Sequence, residues 1–102
     1  MKVIYLINYA PQAFKGLMQN PDREGPLRAL FESVGGKLTA VSFTQGPYDL
    51  VVEADVPDET ASRAVWTVAR ASGSVLGGAT LNVVDMPATL ALANKAAYKP
   101  AG

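Results

Sequence analysis

Gly46-Pro47-Tyr48-Asp49-Leu50-Val51-Val52-Glu53-Ala54-Asp55-Val56-Pro57-Asp58-Glu59-Thr60-Ala61 passes from a turn, through an alternating strand, into a helix start. Gly46 and Pro47 form the turn, because glycine permits unusual backbone angles and proline stiffens the chain. Leu50, Val52 and Ala54 then alternate with Val51, Glu53 and Asp55, the period of a strand with two different faces. Pro57 ends the strand. Asp58 is a natural helix cap, and Glu59 suits the positive end of the helix dipole.

Working backwards, residues 37–44 also alternate and should pair with 49–56 as a hairpin. An even loop sets Thr44 opposite Asp49, Phe43 opposite Leu50 and Val41 opposite Val52. One face then carries Val41, Phe43, Leu50, Val52 and Ala54. Ala40, Ser42, Thr44, Asp49, Val51, Glu53 and Asp55 take the other. An odd loop would mix the two sets.

Further out, residues 2–9 read as a strand that is apolar on both faces, as in a strand covered on two sides. A short helical stretch follows Pro11, with Phe14, Leu17 and Met18 on one face. Leu27, Leu30, Phe31 and Val34 form a helical stripe ended by Gly35-Gly36. The helix that follows has Ala61, Ala64, Val65 and Val68 on its inner side, with Trp66 on the flank. Residues 75–84 form a last strand, whose Gly77-Gly78 pair predicts a bulge or a close backbone approach. Asp85-Met86-Pro87 starts an Ala-rich helix running to about Tyr98. The order is β-α-β-β-α-β plus a helix, the ferredoxin-like α+β pattern with a four-stranded antiparallel sheet. Residues 1–86 make the domain, and residues 87–102 a C-terminal helix and tail.

The chain has 102 residues, 49% of them hydrophobic and 18% charged. That length makes one domain with one core. A charge-poor chain of this size leaves apolar residues outside its own core, and a second copy is their expected cover. Nine basic residues balance nine acidic ones. The neutral balance and the lack of a basic run argue against nucleic acid as a partner. No stretch approaches the ~20 apolar residues of a bilayer helix, so no membrane partner is expected. The N-terminal apolar run ends too soon for a signal peptide, and a cytoplasmic location is expected. Cysteine and histidine are both absent. Without them there is no disulfide framework, thiolate nucleophile, Ser-His-Asp triad or ordinary zinc site. No metal and no cofactor is expected.

Gly46-Pro47-Tyr48-Asp49 resembles the Gly-x-Tyr-Asp pattern of the GYD domain family. The likeness spans about residues 2–86. It includes Leu6-Ile7-Asn8-Tyr9 at the end of the first strand, Gly35-Gly36-Lys37, the Gly46–Val56 segment and the Pro57–Ala61 helix opening. The resemblance implies a ferredoxin-like fold associating as a dimeric α/β-barrel. It implies no particular activity, and the helix after Pro87 stands outside it. The same turn is similar to one in the ligand-binding domain of the Lrp/AsnC regulators, which carry a helix-turn-helix before that domain.

Tyr5, Tyr9, Tyr48, Asp49 and Glu53 are the candidate ligand-binding residues. Tyr5, Ile7 and Tyr9 share one strand face, where phenols could line a small pocket or simply pack. Tyr48 and Asp49 could orient a ligand, or serve only the turn. Glu53 and Asp55 point to the open face, where paired carboxylates could share acid–base work, hold a cation, form salt bridges across a dimer or simply be solvated. The expected function is an oligomeric small-molecule-binding module. The alternatives are a cofactor-free enzyme of oxygenase, isomerase or cyclase type, and a structural component that docks through the C-terminal helix.

Overall fold

The computed structural model describes residues 1–102. Its elements are β1 (Lys2–Tyr9), α1 (Ala13–Gln19), α2 (Glu24–Ser33), β2 (Lys37–Phe43), β3 (Leu50–Asp55), α3 (Glu59–Ala71), β4 (Val75–Asn82) and α4 (Met86–Ala93). The strands form one antiparallel sheet in the order β2-β3-β1-β4.

The hairpin adopts the even register. Phe43 lies opposite Leu50, Val41 opposite Val52 and Ala40 opposite Glu53. The Thr44 N–H donates to the Asp49 carbonyl at 2.9 Å and closes the loop. Alternation does not reveal the register shift between Leu38 and Ala40, which lets Leu38 join the core face. The caps form as the sequence pattern predicts. Asp58 Oδ1 accepts from the Ala61 N–H at 2.8 Å, and Asp85 Oδ1 from the Ala88 N–H at 3.0 Å.

Val3, Tyr5, Ile7, Tyr9, Leu50, Val52 and Ala54 share the sheet face that packs with Phe31 of α2 and Val65 of α3. Two inner stripes differ from expectation. Met18 is 86% exposed, while Ala13 and Leu17 meet the core. On α3, Val68 is exposed and Ser62 is buried. The helix is thus rotated so that Ser62, Val65, Trp66 and Ala69 face inward, at helical spacing.

At β4 the pairing with β1 shifts between Asn8 and Tyr9. Gly78 has φ +148°, and a Cβ there would overlap the Leu6 carbonyl. The paired glycines therefore mark both a bulge and a close backbone approach.

Helices cover β1 on one face only. Ile4, Leu6, Val51 and Ala79 lie half-buried on the other face, and Leu81 is exposed. The expected dimeric α/β-barrel is corrected here. β2 and β4 are free edges of an open sheet, so the strands close no barrel, and the fold of the single chain gives no evidence of a barrel-type dimer. Nor does the C-terminal helix lie over the open face, since α4 has no buried residue. The molecule measures 57 × 32 × 22 Å with a radius of gyration of 16.9 Å, against about 13 Å for a compact chain of this length.

Candidate functional site

Tyr5 stands at the centre of β1 and is 1% exposed. Its ring stacks on Trp66 with centroids 6.2 Å apart and meets Phe31 at 5.7 Å. Burial of an aromatic ring is favourable, but a buried hydroxyl needs a partner. Ser62 supplies it, with 2.8 Å between Tyr5 Oη and Ser62 Oγ. Burial pushes the Tyr5 phenol above its ordinary pKa, and the Ser62 bond offsets this in part.

That pair lies beside a groove between α3 and β4. The groove holds about 200 Å³ and is lined by Glu59, Ser62, Arg63, Trp66, Thr80 and Asn82. Thr80 is opposite Tyr5 and Asn82 opposite Val3, so the pleat turns both toward the helices. The Thr80 hydroxyl and the Asn82 amide form no hydrogen bond within the chain and border the groove. At the rim, Arg63 and Glu59 approach to 3.8 Å, both well exposed. Such a pair adds little stability.

A second cluster lies at the far end of β1. The β1–β3 pairing stops at Ile7 and Leu50, so the Tyr9 N–H finds no carbonyl on β3. Asp49 Oδ2 accepts from it at 2.9 Å. The Asp49 N–H donates to the Ile7 carbonyl at 2.8 Å, and the Thr44 hydroxyl to the Tyr48 carbonyl at 2.7 Å. Asp49 therefore splices the β2–β3 turn to β1, and a buried N–H is satisfied. Tyr48 sits half-buried in that turn. The Tyr9 ring packs edge-on against Phe14. Burial raises the Tyr9 pKa, the Arg23 guanidinium beside it pulls the value down, and the Asp49 carboxylate pushes it up.

Glu53 lies on the opposite, open sheet face, between Ile4 and Ala40. The five residues singled out in the sequence thus fall in three places. Tyr9, Tyr48 and Asp49 gather at the turn, Tyr5 is buried behind Ser62 and Trp66 of the groove wall, and Glu53 is across the sheet from both. Alternation on β4 and the Ser62–Val65–Trp66–Ala69 stripe were the available signals for the groove. No group of three or more acidic side chains converges as a metal site would require.

The GYD domain pattern matches residues 4–93. The chain belongs to the GYD domain family. Within this GYD protein the match runs through Ala93, so α4 lies inside the family span rather than beyond it. No curated protein and no solved structure matches the chain. The family signature in Gly46–Asp49 coincides with the splice between the hairpin and β1.

Proposed function

We propose that this GYD protein is a small-molecule-binding module whose ligand lies in the groove between α3 and β4. The observation that carries this reading is the set of unspent polar groups there. The Thr80 hydroxyl and Asn82 amide stand on a strand, beside the flat ring of Trp66 that Tyr5 holds by stacking. Polar groups on rigid elements beside an aromatic wall suit a small, flat ligand with hydroxyl or amide groups. The groove's volume, about 200 Å³, is below the roughly 300–1,000 Å³ of drug-sized sites, so the ligand is a small one.

Binding is favoured over cofactor-free catalysis. The chain has no histidine or cysteine. The two phenols with shifted pKa values are both raised. They stay protonated near neutral pH, where they can donate hydrogen bonds but cannot act as bases. A cytoplasmic setting fits a chain that uses no cysteine,.

The test is thermal denaturation against a set of small polar metabolites. A ligand at a hundred times its Kd adds about 2.7 kcal/mol, or roughly 10–20 °C for a domain of this size. That stabilisation should disappear in Asn82→Ala and Trp66→Ala and survive in Glu53→Ala. Loss in Glu53→Ala with retention in Asn82→Ala would move the site to the open sheet face and overturn the proposal.

A further inference from the structure

Two apolar surfaces of this chain lack cover, and they are of different kinds. One is the open sheet face, with Ile4, Leu6, Val51 and Leu81. The other is the arm that leaves β4 beside the first strand, where the Val83 N–H donates to the Lys2 carbonyl at 3.0 Å. Along the arm, Val83, Val84, Met86, Leu90, Leu92 and Tyr98 are all exposed. Its helix α4 spans only Met86–Ala93 and buries nothing. Isolated helices shorter than about 12–15 residues are marginal in water. A helix apolar on all sides belongs in an interior. The arm therefore has the composition of a docked element without a dock in its own chain.

We propose that the arm, residues 83–98, packs on the open sheet face of a second copy of this chain, in a reciprocal exchange. Charge supports the match. Glu53 sits half-buried on the face, with Ile4 and Ala40 as its cross-strand neighbours and no cation paired to it. Lys95 and Lys99 are the basic residues of the arm and its tail, and one of them set over Glu53 would pair its charge. The size is adequate too. Stable interfaces use roughly 20–30 residues a side, and exchange places both the arm and the receiving face of each chain in one two-fold interface. The contact is helix on sheet, formed from an open sheet in each copy.

The absence of cysteine makes the test clean. Leu6→Cys on the face and Leu90→Cys on the arm are made in separate full-length chains, mixed, and treated with a short bismaleimide. Mass by light scattering is measured in parallel. The expected result is a dimer in solution, efficient cross-linking between the two different variants, and none when Met18→Cys replaces Leu90→Cys. In the chain carrying both Leu6→Cys and Leu90→Cys, the link should join two chains. A link formed only within one chain would mean that the arm folds back on its own sheet, and the proposal would fall. A monomeric full-length chain, or a dimer that Leu90→Asp with Leu92→Asp leaves intact, would equally overturn it.

Discussion

Replacing Asp49 by alanine isolates what the family signature does. The Asp49 carboxylate accepts the Tyr9 N–H at 2.9 Å, and Tyr9 is 8% exposed. Truncation leaves that N–H without its acceptor and with little access to water. Hydrogen bonds to charged groups contribute about 1.5–3 kcal/mol, and an orphaned buried donor costs a similar amount. A loss of about 2 kcal/mol is expected, or roughly 8–16 °C in Tm. The substitution Asp49→Asn keeps a neutral acceptor and should lose about half as much. Urea unfolding gives the free energies, and amide exchange at Tyr9 reports the bond itself. Faster exchange at Tyr9 should accompany the loss, while ligand binding in the groove persists. A change within about 0.5 kcal/mol, the range of an ordinary surface substitution, with Tyr9 protection intact, would refute the splice.

Other substitutions test the rest of the frame. Ser62→Ala strands the Tyr5 hydroxyl and should cost about 1–3 kcal/mol, whereas adding Tyr5→Phe should recover part of it in a double-mutant cycle of urea midpoints. Gly78→Ala combines a positive φ with overlap at the Leu6 carbonyl. It should cost about 3 kcal/mol or more, visible as loss of cooperative unfolding. Tyr5 and Tyr9 have raised pKa values in the fold. The unfolded chain therefore releases protons first as pH climbs through the ordinary value of 10.0. The phenols' contribution to stability should be constant below that point and fall above it until the folded phenols titrate. Tyr5→Phe should flatten this alkaline fall in urea titrations.

Much of the frame is legible from local pattern. The Gly46–Ala61 stretch sets the even hairpin, and Asp58 and Asp85 announce their helices because capping needs only neighbouring residues. The groove is not legible in the same way. Ser62 has no partner in the local pattern, because the hydroxyl it meets belongs to Tyr5, fifty-seven positions away in sequence. Likewise Thr80 and Asn82 gain meaning only when β4 pairs beside β1 under α3. The barrel expectation came from resemblance rather than pattern, and an open sheet with two free edges replaces it. Asp49 lies where the family signature points, and its work there is a bond to a backbone N–H of the first strand.

Trp66 is the chain's one tryptophan, and it lines the groove. Its emission is therefore a reporter at the proposed site without any label. Titration with a metabolite that stabilises the protein should change Trp66 emission saturably, with the same Kd that the melting shift gives. The change should vanish in Asn82→Ala. A metabolite that raises Tm while Trp66 emission stays constant would contradict the placement of the ligand between α3 and β4.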